Sequence, residues 1–400
     1  MPKKNKNITL AVQASFMLIA MVSASEAQVE NTDSVAALNK GVMTLDARVF
    51  YFDRRFDLPD TPPARALTGG GIAKYESAAL NNFKAALGLY GSFSLFGIID
   101  RELGAGTDLL QSDNDDIAFL GEAYIDYDSG ENQLKAGRQR LATPLINDRD
   151  FRMLPSVFEA AVYRNRSLTN TTLEAGYVYS ESGFGSIYSS FEQQTALWGQ
   201  DGLGYIYGGT IVNNIALRGQ FVNTLESSGL YRNFSYADIN MPVSFGNGSH
   251  IQAQAGGTAY QAEDSATMYG VKLSTLVANA SLAFVYNRIR SNKYTAVEAG
   301  PLYTDWQQGY GNYEPSEALG VQLGFDLNKK LHLSAGYVDI ESVEGDAFNL
   351  DTYAESVFDL QYIINQASHI RLRYSDKNQS QDSDREDRQD FRIIYYYDLS

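Results

Sequence analysis

Along most of the chain, apolar and polar residues alternate one for one. In "MTLDARVFY", Met43, Leu45, Ala47, Val49 and Tyr51 share one face and Thr44, Asp46 and Arg48 the other. In "GEAYIDYD", Ala123, Ile125 and Tyr127 oppose Glu122, Tyr124 and Asp126. In "TLEAGYVY", Leu173, Ala175, Tyr177 and Tyr179 oppose Thr172, Glu174 and Gly176. The same alternation sets Ile215, Leu217 and Phe221 against Arg218 and Gln220, and Ile251, Ala253 and Ala255 against Gln252 and Gln254. Near the C-terminus, Ile370, Leu372 and Tyr374 oppose His369, Arg371 and Arg373. Successive side chains of a strand point to opposite faces, so each segment predicts a strand with one apolar and one polar side.

The first residues break this rhythm. Lys3, Lys4 and Lys6 precede an apolar run from Ile8 to Val22, and "SASEAQ" follows with small residues at Ser25 and Ala27. A basic start, a short apolar core and small residues before a cut describe a secretory signal peptide, here residues 1–27. Residues 28–43 then form a short N-terminal segment, and residues 44–400 a single β domain. No linker or internal repeat beyond the strand rhythm divides that domain.

A secreted sandwich or β-helix would alternate in the same way. Three features favour a transmembrane barrel. The strands are many and run evenly to the C-terminus. Tyrosine recurs near strand ends, where a membrane interface takes aromatic girdles. The polar faces repeatedly carry Arg, Asp and Glu, which suits a wet interior. A closed barrel also leaves no unpaired edge in lipid. The expected fold is all-β, a transmembrane antiparallel β-barrel. At roughly twenty residues per strand, loops included, it has about eighteen strands. A barrel of that size keeps an aqueous channel. Polar or glycine-rich interruptions, "LPDTPPARALTGGG", "GNGS", "TAVEAGPLYTDWQQGYGNYEPSE" and "DKNQSQDSDREDRQD", are expected as loops.

Composition narrows the chemistry. The net charge of -16 argues against a nucleic-acid partner, which needs a basic surface. With no cysteine there is neither a disulfide framework nor a sulfur-based metal site. His250, His332 and His369 sit in no catalytic motif, so no enzyme activity, cofactor or metal is expected.

One stretch departs from plain strand character: "GRQRLATPLINDRDFRMLPSVFEAA", Gly137 to Ala161. It begins as a strand, stops at Thr143-Pro144 and then mixes Asp148, Arg149, Asp150, Arg152 and Glu159 with apolar residues before and after Pro155. An external loop or an inward-folded constriction would read this way. The stretch resembles the third-loop region of the OprD-like outer-membrane porins, through Gly137, Gln139, Leu141, Thr143, Pro144, Leu145, Asn147, Asp150, Arg152, Met153, Pro155, Phe158 and Glu159. It departs at Ala160, where that family more often has glycine. "TLDARVFYFDRRF" and the closing "DREDRQDFRIIYYYDLS" are similar to the same family.

The resemblance implies a bacterial outer-membrane porin that passes small polar solutes, such as carboxylates, amino acids or small peptides, by passive diffusion. It implies a basic ladder on the barrel wall facing acidic residues at a constriction. Arginine suits such a ladder, because it stays charged and binds carboxylates bidentately. The ladder candidates are Arg138, Arg140, Arg371, Arg373 and Arg392, with Arg48 and Arg218 as further members. Asp148, Arg149, Asp150, Arg152 and Glu159 would form the constriction loop, with Asp148, Asp150 and Glu159 as its acidic side. The alternative is a general, unselective diffusion porin. The expected surroundings are outer-membrane lipid and lipopolysaccharide, and the assembly a monomer or homotrimer. N-terminal sequencing of the mature protein is expected to begin near Gln28; a product retaining Met1 would refute the cleavage.

Overall fold

The computed structural model describes residues 33–57, 63–99, 107–111, 114–183, 195–196, 202–224, 233–243, 248–260, 264–294, 296–297, 300–306, 314–342, 353–379 and 387–399. The signal segment lies outside them. Helix α1 (Asp33–Asn39) is followed by β1 (Val42–Phe56), β2 (Ala64–Glu76), β3 (Phe83–Ile99), β4 (Ile117–Asp128) and β5 (Asn132–Gln139). Next come β6 (Val157–Asn165), β7 (Thr171–Ser182), β8 (Thr195–Ala196), β9 (Leu203–Val212), β10 (Ile215–Thr224), β11 (Asn233–Val243) and β12 (Ser249–Ala259). The chain ends with β13 (Ala266–Val277), β14 (Ala280–Arg290), β15 (Ser316–Asn328), β16 (Leu331–Ser342), β17 (Tyr353–Asn365), β18 (Ser368–Gln379) and β19 (Arg388–Leu399).

All pairings between strands are antiparallel, and nearly every strand pairs with its neighbours in sequence. The two-residue β8 only extends the top of β7, whose barrel neighbour is β9. Eighteen strands therefore form the wall. β1 pairs with β2 on one side and with β19 on the other, from Leu45↔Leu399 to Phe56↔Arg388, so the sheet closes on itself. Closure supplies a partner for the backbone groups of both terminal strands, which a bilayer would otherwise leave unsatisfied.

Register carries one alternation around the whole wall, because paired residues share a face. Val49↔Tyr395↔Ile370↔Tyr362↔Leu331 is one outward row. Phe83, Ile125, Ile206, Phe284 and Leu319 lie on the same outer side and are exposed there. Charges such as Arg48, Glu122, Asp359 and Arg371 lie on the inner side. Two-residue turns such as Asn213-Asn214, both at positive φ, join strands at one end of the barrel, and the long connections lie at the other. The alternating short turns and long loops of outer-membrane barrels give the same layout. α1 caps the short-turn end, where its Ala37 carbonyl accepts from the Ala78 amide.

Three boundaries differ from the sequence reading. β1 begins at Val42, and α1 lies within the expected N-terminal segment. "ARALTGGG" is β2, not loop: its glycines are strand positions, where Gly70 packs so closely that an added Cβ would sit 2.0 Å from the Gly91 carbonyl oxygen. β18 runs on to Gln379, so the first residues of the charged "DKNQ" stretch are strand.

The apolar interior is not a central core. It consists of patches where loops cover the inner wall, around Phe158, Val178, Leu203 and Phe234 on one side and around Phe50, Phe52, Tyr90 and Ile394 on the other. Replacing outward Phe284 by Arg should lower folding stability in lipid vesicles by about 2–4 kcal/mol, the cost of a cation near the bilayer midplane. Ser334→Arg, on the inner face opposite Asp359, should cost far less; equal costs in urea titrations would refute the inside-outside assignment.

Candidate functional site

The chain leaves the wall after Gln139 and returns at Val157. Residues 140–156 fold into the lumen and are held on two opposite walls. On one wall, the side chain of Gln220 from β10 accepts from the Leu145 amide at 2.7 Å and donates to Thr143 Oγ1 at 2.8 Å. Leu141, Leu145 and Ile146 pack there with Phe158, Val178 and Leu203. On the other wall, Arg48 of β1 donates to the Arg152 carbonyl at 2.8 Å, and Met153 and Leu154 pack with Phe50, Phe52 and Ile394. Phe52 is fully buried, with the guanidiniums of Arg54, Arg152 and Arg392 about its ring at 5.0, 5.3 and 4.7 Å. Cation–π attraction strengthens when such groups are desolvated, so this ring serves as the loop's seat on β1.

Between the two anchors, Asn147 to Arg152 cross the lumen. Arg149 takes a left-handed turn, and its amide donates to Asn147 Oδ1 at 2.8 Å. This turn presents Asp148 and Asp150. Asp148 Oδ2 accepts from Arg140 Nε at 2.6 Å. Asp150 bridges Arg140 Nη2 at 3.0 Å and Arg48 Nη1 at 2.7 Å. Arg48 also pairs with Asp46 at 2.8 Å and stacks over Tyr396. Burial raises the Asp148 carboxyl above the ordinary carboxylate range, and Arg140 offsets part of that rise. Burial also acts to raise Asp150, but the hydrogen bonds and charges of Arg48 and Arg140 outweigh it and hold Asp150 low. The two carboxylates thus titrate apart, Asp148 first as pH falls.

A second loop joins the first. In residues 291–315, Tyr294, Val297 and Leu302 are buried against the Leu145 and Ile146 patch. The Val297 amide donates to the Leu145 carbonyl at 2.8 Å, and the Asn147 amide to the Val297 carbonyl at 3.3 Å. Tyr294 Oη donates to the Ser235 carbonyl at 3.0 Å, and the Trp306 ring packs where a Cβ on Gly336 would meet it at 2.9 Å. The sequence reading took this stretch as a loop without assigning it to the lumen. Its run of Tyr, Leu and Trp was the available signal.

The ladder candidates separate. Arg371 and Arg373 point inward from β18 and share Asp359 of β17, at 2.7 and 3.0 Å. Arg140 is inward, at the constriction. Arg218 is inward too, paired with Asp238. Arg392 has inward parity but is fully buried with Asp390 and Arg54 beneath the loop, so no solute can reach it as a rung.

Arg138 and Glu159 are corrections. Register pairs Arg138 with Ala123 on one side and Glu159 on the other, in the row of outward residues. The two form an ion pair at 2.9 Å on the outer wall, with the Leu120 carbonyl accepting from Arg138. Their parity follows from Lys135, Gly137 and Gln139, which face inward opposite Asp126 and Tyr124. Gly137 has φ 120, and a Cβ there would come within 2.3 Å of the Ala123 carbonyl oxygen. Within the loop, Arg149 lies against Phe151, and Arg152 is buried with Asp108 at 3.5 Å.

Solved structures share this architecture. OccK9 (OpdG) of Pseudomonas aeruginosa superposes with TM-score 0.77 at 19% identity, covering 91% of this chain and 99% of its own. OpdK of Pseudomonas aeruginosa, solved with vanillate, gives 0.74 at 18% identity, covering 90% and 99%. OccAB3 of Acinetobacter baumannii gives 0.75 at 15% identity, covering 90% and 99%. The chain has the fold of these outer-membrane porins. No protein-family model and no curated protein matches it.

Asp150→Asn should free part of the Arg48 and Arg140 charge and raise anion over cation permeability. The expected change in the permeability ratio is about twofold, small because salt screens charges beyond about 8 Å. Acidification should raise the same ratio in the unaltered protein as Asp148 protonates, at a pH above the ordinary carboxylate range. Reversal potentials measured against a salt gradient check both; a shift toward cations would refute the assignment.

Proposed function

We propose that this protein is an OprD-like porin of the bacterial outer membrane that passes small polar solutes, carboxylates foremost, by passive diffusion. The observation that carries the reading is the pair Arg371 and Arg373 on the lumen wall. Two guanidiniums share the one carboxylate of Asp359, so this stretch of wall keeps excess positive charge. Arg48 and Tyr396 continue the row toward the loop carboxylates, Arg48 lying 5.3 Å from the Tyr396 ring. A carboxylate moving along such a row exchanges one guanidinium for the next and is never wholly desolvated without a partner. Asp148 and Asp150 on the loop face the amino end of a zwitterion while the arginines hold its carboxylate. The vanillate present in the OpdK structure is itself a carboxylate, in keeping with this class of solute. The solute diffuses down its gradient, and the residues do no chemistry on it.

The fully buried anchors make the loop a fixed part of the wall rather than a lid. Selectivity therefore rests on charge placement and aperture. We infer that the outward Arg138–Glu159 pair belongs to the barrel's contact with lipid or a neighbouring copy and not to the solute path.

Refolded protein in planar bilayers tests the reading. Arg371→Ala with Arg373→Ala should lower small-carboxylate permeability by about fivefold, on the scale of one close charge contact in water. Deleting residues 147–156 should raise single-channel conductance and weaken solute preference while the barrel still folds. Unchanged conductance on deletion would place the loop outside the conduction path and overturn the reading.

A further inference from the structure

The inner wall holds a cation that the ladder does not use. Lys272 of β13 points inward, since its register partner is Gln252 and its own strand alternates with outward Val271 and Leu273. Other inward cations among the described residues are matched. Arg48, Arg140, Arg218, Arg371 and Arg373 hold carboxylates, and Lys135 and Lys377 lie over the rings of Tyr124 and Tyr353 at 3.7 and 3.9 Å. Among the described residues Lys272 has neither a carboxylate nor a ring against it. It borders a recess of about 510 Å³ on the inner face of β11 to β17, toward the short-turn end of the barrel.

The rest of that recess mixes Asn240, Gln252, Gln322 and the hydroxyls of Ser274, Ser281 and Ser334 with the apolar Leu282, Leu323 and Val357, and His250 Nδ1 donates to Asn240 Oδ1 at 3.0 Å. Among the described residues no Phe, Tyr or Trp ring lines it. Its far edge reaches the ladder, because Ser334 is the register partner of Asp359. Lys272 and Arg371 are five strands apart, about 24 Å along the wall at about 4.8 Å per strand.

We propose that this recess is a second solute site below the constriction, selective for small hydroxylated monocarboxylates. Lys272 takes the carboxylate, and the amides and serines, each both donor and acceptor, take the hydroxyls. One cation without a competing counter-charge binds an anion, while neutral amides admit no second charge, so a dianion gains little. The site lies level with the ladder on the adjoining wall, since Lys272 and Arg373 each stand five residues from the short-turn end of their strands. The proposal rests on the porin reading above and specifies its solute class on the short-turn side of the constriction.

The test is current block by gluconate added on the short-turn side of single channels, with glucose as the uncharged comparison. Lys272→Gln should raise the half-blocking gluconate concentration by about fivefold, the equivalent of about 1 kcal/mol for a unit charge contact near 4 Å in water. Lys272→Arg should restore block, and glucose should act alike on all three. If gluconate blocks Lys272→Gln and the unaltered protein equally, the site is refuted. If glucose shifts as much as gluconate, the substitution has altered the aperture and the charge assignment is refuted. A protein that forms no channel at all would instead refute the porin reading.

Discussion

Closure of β1 onto β19 is the constraint from which the rest follows. Twelve register pairs, from Leu45↔Leu399 to Phe56↔Arg388, remove the only two edges the sheet would have. In hydrocarbon an unpaired amide or carbonyl costs several kcal/mol, so an open sheet of this kind could not stay in a membrane. Once closed, the wall has an inside and an outside, and period two becomes a rule about solvent. Outward positions answer to lipid and inward positions to water. An eighteen-strand wall encloses more space than its inner side chains can fill. The void must be narrowed by chain that leaves the wall.

That need explains the apolar patches inside a wet barrel. Residues 140–156 and the loop after β14 carry backbone into the lumen, where every buried polar group requires a partner. Gln220, Thr143, Arg48 and the Val297 backbone supply them. The same loops bury Phe50, Phe52, Phe158 and Ile394, which are inward and apolar against the barrel rule. Anchor and aperture are therefore one construction. Arg48 holds the loop through a carbonyl and holds Asp150 through its carboxylate, so the charge at the constriction is set by the residue that fixes its position.

The fold was legible because period two is written into every strand and survives single exceptions. The inward loop was legible as a break in that period with Thr143-Pro144 at its start. The side each charge faces was also written there, but less visibly. Arg138 and Arg140 are two apart and invite one assignment, yet Arg138 alternates with Lys135, Gly137 and Gln139, while Arg140 lies beyond the strand's end. Parity holds only within a strand. Glu159 was misplaced because it was counted with the loop, whereas β6 resumes at Val157 and turns Phe158 inward beneath the loop and Glu159 outward. Gln220 and Arg392 could not be ranked from sequence, because burial beneath a loop is set by a contact between segments far apart in the chain.

The same distinction separates charges that bind solute from charges that bind protein. Asp390 gathers Arg54, Arg392 and, at 3.9 Å, Arg388 out of water. Removing one member of such a group leaves the others buried and uncompensated, which makes it a structural joint more than a binding site. Asp359 gathers two arginines at the water's edge, and Lys272 has no counter-charge among the described residues. Around the lumen, then, Arg48 and Arg140 at the constriction meet the three carboxylates of Asp46, Asp148 and Asp150, Arg371 and Arg373 share one, and Lys272 has none beside it among the described residues. On the proposed reading, an anion displaced from the arginines finds a less occupied cation at the lysine. Such an exchange requires no moving part, because the unequal counter-charge belongs to side chains held on the closed wall.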